Sequence, residues 1–202
     1  LLFIANYGVR TFQVSDLSER HSFADYQANR ALTCIVMMLV GILYCQLRGY
    51  DPQMFTLCMG MFAYRAVDGL ADVYEGRLQQ MDKLYLAGIS QAIRSAAVII
   101  AYCALILITR SIGAAGVAMA VASVASFVLL TLPLTYFETP KSAKLSIASV
   151  KDLFVQCFPL FVALFLYNLI DNMPKFAMEG ALSYDNQLYF NALFSPAHII
   201  IM

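Results

Sequence analysis

The feature that most constrains this chain is a series of apolar runs, each long enough to cross a lipid bilayer. A helix needs about 17–25 mainly apolar residues to span a hydrocarbon core about 30 Å thick. Full spans are predicted over residues 31–47, 54 to about 74, 84–109, 112–137 and 153 to about 172. Residues 1–9 are interpreted as the end of a preceding helix, and another helix is predicted from about Leu188. The sequence therefore predicts an all-α, polytopic membrane helix bundle.

Composition agrees with that prediction. Hydrophobic residues make up 61% of the chain and charged residues 13%, whereas soluble domains have about 45–50% apolar and about 25% charged residues. The formal net charge is zero, so no basic excess points to nucleic acid. The five cysteines lie in apolar runs without a C-x-x-C motif, and neither histidine is spaced to join them. We expect small hydrophobic roles for these cysteines, with no metal and no cofactor.

Basic residues in the predicted loops indicate an orientation, because cytoplasmic loops retain Lys and Arg. Eight of the 13 basic residues fall on one side, three on the other and two within spans. The segments RGYDPQ and GALSYDNQ are therefore predicted to face outward, and TPKSAK the cytoplasm. The eight are Arg10, Arg20, Arg30, Arg77, Lys83, Lys141, Lys144 and Lys151; the three are Arg48, Arg110 and Lys175.

The second full span carries a polar stripe. Arg65, Asp68, Asp72 and Glu75 fall within an arc of about 80° on a helical projection. An ionisable side chain at mid-membrane depth costs about 2.5–3.5 kcal/mol on insertion scales, so it faces protein or a water-filled cavity. Asp72 and Glu75 are interpreted as ending the span at the cytoplasmic interface. Arg65 and Asp68 lie deeper and are interpreted as cavity residues, with a structural ion pair as the alternative.

Two other spans contribute polar residues. Ser90, Gln91 and Arg94 form a patch in the third span, and the depth of Arg94 allows it to face Arg65 and Asp68. The polar residues of the fifth span share one face if the helix continues past Pro174. The alternative is that the last of these residues simply lie at the outer membrane interface. The candidate substrate-binding residues are Arg65, Asp68, Gln91, Arg94, Asn168, Asp171, Asn172 and Lys175.

The segments YRAVDGLADVYEGRLQQMDKLYLAGISQAIRS, TYFETPKS and FPLFVALFLYNLIDNMPKFAMEG resemble the polysaccharide flippases. These repeat-unit or O-antigen exporters belong to the multidrug/oligosaccharidyl-lipid/polysaccharide (MOP) exporter superfamily. The resemblance implies a two-lobe, MATE-like fold in which residues 1–137 form most of the N-terminal six-helix lobe. Residues 138–152 would be the cytoplasmic inter-lobe loop, and residues 153–202 the truncated start of the C-terminal lobe. The chain is accordingly expected to be an internal fragment.

The resemblance also implies a function. It is the translocation of undecaprenyl-diphosphate-linked oligosaccharide repeat units across the bacterial cytoplasmic membrane, for surface polysaccharides such as lipopolysaccharide. Alternating access would carry the substrate, membrane lipids would surround the protein, and a proton or sodium ion would be the coupling ion. No bond is made or broken, so no enzyme is predicted. Intramembrane arginines suit this substrate because guanidinium binds phosphate oxygens bidentately.

Three alternatives remain open from the residues. The first is a multidrug or small-solute antiporter on the same scaffold. Intramembrane acids without paired arginines would favour this alternative, because they suit organic cations. A membrane glycan polymerase would be expected to carry catalytic residues on sizeable outward loops or a soluble domain. A passive scaffold would leave the intramembrane charges unexplained.

Overall fold

The computed structural model describes residues 2–16, 20–140, 145–181, 188–190 and 192. Within them no strand occurs, and a π-helical turn, Phe127–Thr131, joins α6 to α7. The predicted helix from about Leu188 lies almost wholly outside the described residues. The helices are α1 Leu2–Asn6, α2 Val9–Ser15, α3 Phe23–Arg48, α4 Pro52–Gln80, α5 Leu84–Thr109, α6 Ile112–Ser126, α7 Leu132–Glu138 and α8 Ile147–Ala181.

Four helical segments of the described chain are long and apolar enough to cross a membrane: Phe23–Arg48, Leu84–Thr109, Ile112–Glu138 and Ile147–Pro174. Each contains most of one of the five full spans predicted from the sequence. Helix α4 corresponds to the remaining one and has 29 residues, which is ample length. Its charged stripe lowers its mean hydropathy below that of the other four. The protein is therefore all-helical and of the multi-pass membrane type.

Helix α3 begins eight residues before the predicted span. Ser22 and Asp25 form a capping box, in which the backbone N–H of Asp25 donates to Ser22 Oγ (3.2 Å) and that of Ser22 to Asp25 Oδ2 (3.0 Å). Such a box satisfies N–H groups that the first turn of a helix leaves unpaired. Arg30, predicted to lie in a loop, is therefore two turns inside α3. Gly49 (φ 61°) ends the helix in the left-handed conformation that glycine tolerates.

The first segment is broken rather than continuous. Tyr7 (φ 44°) and Gly8 (φ 67°) separate α1 from α2, so the prediction that the helix ends near Val9 is wrong. The carbonyl oxygen of Ala5, at the end of α1, accepts hydrogen bonds from Arg30 Nη1 and Thr33 Oγ1, both at 2.8 Å. These donors satisfy a carbonyl that the break leaves without a helical partner.

The break and the early start of α3 change the count of loop charges. Arg10, Arg30 and Arg77 lie within helices, and Arg30 and Arg77 are buried. They therefore do not count as loop residues, because the orientation rule counts basic residues in loops that water surrounds. The predicted orientation now rests on fewer basic residues and stays a prediction.

Helices α3 and α4 pack antiparallel in a constant register. A Cβ placed on Gly69 would lie 3.2 Å from Cys34 Sγ, and one on Gly41 would lie 2.7 Å from Phe62 Cδ2. In both pairs the residue numbers add up to 103. Seven residues, two helical turns, separate the pairs along each helix. The same faces of α3 and α4 therefore remain opposed over at least this length.

Helix α4 is the central element of its neighbourhood. It packs against α1, α2, α3, α5, α6 and α7. Its closest crossing is with α6, where Gly60 and Gly116 meet: a Cβ on Gly60 would lie 2.3 Å from the carbonyl oxygen of Gly116. Because helices cover α4 on several sides, much of its charged stripe faces protein. This is the arrangement that the cost of exposing charge to lipid favours.

The π-helical turn lies beside α4 and α5. It ends two residues before Pro133, whose missing N–H interrupts the α-helical hydrogen-bond pattern. Thr131 Oγ1 shares a buried hydrogen bond with Ser90 Oγ of α5 (2.8 Å), and Phe127 packs edge-on against Tyr74 of α4 (5.3 Å between ring centroids). The irregular turn is therefore well packed.

The chain forms two compact units, Leu1–Phe161 and Val162–Met202. The start of α8 packs in the first unit, where Leu153 and Cys157 join Val9, Tyr26 and Val73 in a buried cluster. In the second unit α8 continues past Pro174 to Ala181, as the polar face of the fifth span requires. The division into lobes at residues 138–152 stays a prediction, because a compact unit of this chain need not correspond to a lobe of a two-lobe transporter.

Candidate functional site

Three carboxylates of α4 meet four arginines, one of them also on α4 and the others on α2, α3 and α5. We call this set the charge network. It carries four positive and three negative charges, so one positive charge is in excess at neutral pH. Its members are Arg10, Arg30, Arg65, Asp68, Asp72, Glu75 and Arg94.

Arg94 of α5 joins two of the carboxylates. Its Nη2 and Nε donate to Asp68 Oδ1 (2.9 and 3.3 Å), and its Nη1 donates to Glu75 Oε1 (2.7 Å). The side chains of Arg94 and Glu75 are only 1% and 2% exposed. A buried ion pair is stable only when both partners remain, because removing one leaves an uncompensated charge. Of the two residues that the depth of Arg94 allows it to face, Arg94 contacts Asp68.

Asp72 joins two other arginines. Arg30 Nη2 donates to Asp72 Oδ2 (2.6 Å), and Arg10 Nη1 contacts Asp72 Oδ1. Arg30 is fully buried, whereas Arg10 is 31% exposed and also donates to Gln79 Oε1 (3.2 Å). Asp72 therefore connects α2 and α3 to α4 through two guanidinium groups.

Arg65 lies at the edge of the network. Its Nη1 is 3.7 Å from Asp68 Oδ2, its guanidinium lies 5.1 Å from the centre of the Tyr64 ring, and its side chain is 45% exposed. The contact with Asp68 is longer than the charge-assisted hydrogen bonds that Arg94 makes to the same carboxylate. Arg65 is thus the most accessible arginine of the network.

A small polar cavity of about 150 Å³ lies inside the network. Its charged lining comprises three carboxylates and one guanidinium. At about 30 Å³ for each water molecule in the liquid, this volume suits water or a small ion and not a sugar chain. The lining residues are Asn6, Asp68, Asp72, Glu75, Gln91 and Arg94.

The structure therefore brings together Asp68, Gln91 and Arg94, with Arg65 next to Asp68. The other candidates belong to the second unit. There Asn168, Asp171 and Asn172 are half-buried on α8, and Asn172 Nδ2 donates to the carbonyl oxygen of Asn168 (2.8 Å). Lys175 lies in α8, and its side chain is outside the described residues. The substrate-binding role of all eight candidates stays a prediction.

Arg10 and Arg30 belong to the network and not to the loops in which the basic-residue count places them. The S-x-x-D signal of the capping box at Ser22 indicates that α3 starts before Arg30. Glu75 does more than end the span, because it is buried against Arg94; its interfacial depth stays a prediction. Nothing in the sequence signalled the break that places Arg10 on a second short helix beside α4.

The described residues contain no group of three or more His, Cys, Asp or Glu side chains that could hold a metal ion. Comparisons of the chain with protein-family models, with curated proteins and with solved structures give no match.

Proposed function

We propose that this chain is part of a flippase for lipid-linked oligosaccharides, with a MATE-like fold of two lobes, in the bacterial cytoplasmic membrane. The observation that carries the proposal is the excess positive charge of the network, which coincides with its two accessible guanidinium groups. Arg65 and Arg10 are 45% and 31% exposed, while Arg30 and Arg94 are buried against carboxylates. A diphosphate that crosses an apolar membrane needs such guanidinium groups in a shielded position.

The two kinds of arginine have different roles in this proposal. Arg30 and Arg94 offset two of the three carboxylate charges and hold α3 and α5 against α4. Arg65 and Arg10 bind the diphosphate of an undecaprenyl-diphosphate carrier. The sugars occupy a larger space beyond the 150 Å³ cavity, between the two lobes of the complete protein, which alternate their access to the two sides.

A coupling ion fits the same network. A proton is one coupling ion that we consider, and the carboxylates of the network would be its acceptors. Sodium is the other.

The test is complementation of a strain that lacks its repeat-unit exporter, using the full-length parent protein. We expect Arg65→Ala to abolish export at an unchanged protein level. Arg65→Lys keeps the charge but loses the bidentate geometry, so we expect partial export.

Arg48→Ala is the matched control. Arg48 is also an exposed arginine close to a tyrosine ring, with its guanidinium 5.7 Å from the centre of Tyr44, but it lies at the end of α3 outside the network. Export should survive this change. If Arg65→Ala and Arg48→Ala export equally well, Arg65 has no role in substrate binding and the proposal fails.

A second candidate function is an antiporter for organic cations or small solutes. The charge of the cavity lining favours it, because three carboxylates and one guanidinium give the lining a net negative charge. In that case Asp68→Asn would abolish efflux of an organic cation dye, and Arg65→Ala would leave efflux intact. The same two variants therefore separate the two functions.

A further inference from the structure

Two cysteines face each other across the α3–α4 packing. Cys45 is buried near the end of α3, and Cys58 is half-buried near the start of α4. The turn between them, after Arg48 and before Pro52, is the one predicted to face outward. Cys34 differs, since its thiol donates to the carbonyl oxygen of Ala66 (3.5 Å).

The packing of the two helices places these cysteines opposite each other. The opposed pairs Cys34 with Gly69 and Gly41 with Phe62 have residue numbers that add up to 103. Cys45 and Cys58 continue the series, because they lie one helical turn beyond Gly41 and Phe62 and their numbers also add up to 103. The ring of Phe62 packs directly over Gly41. The two cysteines are therefore held face to face by the register of the whole hairpin.

We propose that Cys45 and Cys58 are a redox-modification site, at which an intramolecular disulfide joins the outer ends of α3 and α4. The proposal is independent of the transport function and rests on the predicted orientation of the turn. Disulfides form and persist in oxidising compartments, which lie on the outer side of the cytoplasmic membrane. Two cysteines held face to face by packed helices need little backbone movement to reach disulfide geometry.

The oxidant is a disulfide, R–S–S–R, that reaches the protein from outside. The more exposed thiol, Cys58, loses its proton and its sulfur attacks one sulfur of the oxidant, which releases RS⁻ and forms a mixed disulfide. Cys45 then loses its proton, and its sulfur attacks the sulfur of Cys58 and releases the second RS⁻. The two anions take up the two protons. Two electrons pass from the cysteines to the oxidant, which becomes two thiols.

The disulfide would close a ring that runs from residue 45 to residue 58. It would fix the α3–α4 register at one end of the hairpin. Towards the other end of the hairpin, Arg30 Nη2 of α3 donates to Asp72 Oδ2 of α4 (2.6 Å). Oxidation would therefore restrict sliding of α3 along α4 and preserve a contact of the charge network.

The experiment uses the full-length protein in intact cells, with every cysteine except Cys45 and Cys58 replaced by serine. Oxidised glutathione, which does not cross the membrane, is added outside. Free thiols are then blocked in SDS, disulfides are reduced, and the released thiols are labelled with a polyethylene-glycol maleimide. We expect a gel shift of two labels that depends on reduction.

The matched control moves one thiol by one residue, in the double change Cys58→Ala and Met59→Cys. One residue rotates the thiol by about 100° away from Cys45, so Cys45 cannot displace glutathione from a mixed disulfide, and this variant should gain at most one label. The proposal is overturned if the pair gains no labels, if it gains them only after permeabilisation, or if the control gains them equally. Mass spectrometry of the unsubstituted protein gives a second readout, since the peptides of Cys45 and Cys58 should appear linked without reductant.

Discussion

The contact between Gly60 of α4 and Gly116 of α6 gives the sharpest prediction for stability. Gly60→Ala would place a methyl carbon 2.3 Å from the carbonyl oxygen of Gly116 and 2.9 Å from its Cα. Ordinary carbon–oxygen contacts are about 3.3–3.6 Å, so the two helices must separate by about 1 Å. Backbone atoms cannot rotate out of the way as the end of a long side chain can.

The loss of stability follows from the weakened dispersion contacts where α4 crosses α6. A gap of up to about 1 Å forfeits a quarter to a half of each dispersion contact, which is about 0.1–0.2 kcal/mol for a pair of atoms. Over a helix crossing this agrees with the range of about 1–3 kcal/mol measured for overpacked cores. A change of 1 kcal/mol shifts the melting temperature of a domain of this size by about 2–4 °C. We therefore expect Gly60→Ala to lower the melting temperature by roughly 2–12 °C.

The chain contains two matched controls. A Cβ on Gly88 of α5 would meet nothing within 4 Å, and one on Gly113 of α6 would make only ordinary contacts from 3.5 Å. Gly88→Ala should be neutral or stabilising by about 0.5–1 kcal/mol, because alanine favours helix. Gly113→Ala should be close to neutral.

The assay heats the full-length protein in detergent and measures by size-exclusion chromatography how much stays folded at each temperature. The three variants differ from the parent by one methyl group each, so differences among them report the local packing. If Gly60→Ala is as stable as Gly88→Ala, then α4 and α6 do not cross at Gly60 and Gly116. That result would also refute the central position of α4.

Two further predictions concern the charge network and the orientation. Arg94→Met should lower the free energy of unfolding by about 3–5 kcal/mol because it leaves Glu75 buried with only the long 3.8 Å contact to Arg10, whereas changing Arg94, Glu75 and Asp68 together to apolar residues should be close to neutral. The same heating assay measures both, and equal instability of the single and triple variants would contradict the ion-pair account. Gly49→Cys should react with a membrane-impermeant maleimide from outside, and Asp82→Cys only from the cytoplasmic side. Reversed labelling would overturn the orientation, while the packing within the network would be unaffected.

Much of the secondary structure followed from the sequence because a membrane span must be long and apolar. Four predicted spans agree with the four apolar helices to within about ten residues at their ends. The largest error was at the start of α3, where apolarity begins at Ala31 but the helix begins at Phe23. Apolarity marks the part of a helix that lipid can cover. A helix itself begins where its first N–H groups find a cap, and here Ser22 and Asp25 supply it.

The sequence alone determined that α4 has a charged face, since 3.6 residues per turn fix the direction of each side chain around its own helix. It could not determine the partners of that face. Arg65 looked like the natural partner of Asp68, but Arg94 of α5 holds Asp68 at 2.9 Å and leaves Arg65 45% exposed. Arg10 and Arg30 reach Asp72 from α2 and α3. Partner choice depends on which helices touch α4 and in what register, and those depend on contacts far apart in the chain, such as Gly60 with Gly116 and Gly41 with Phe62.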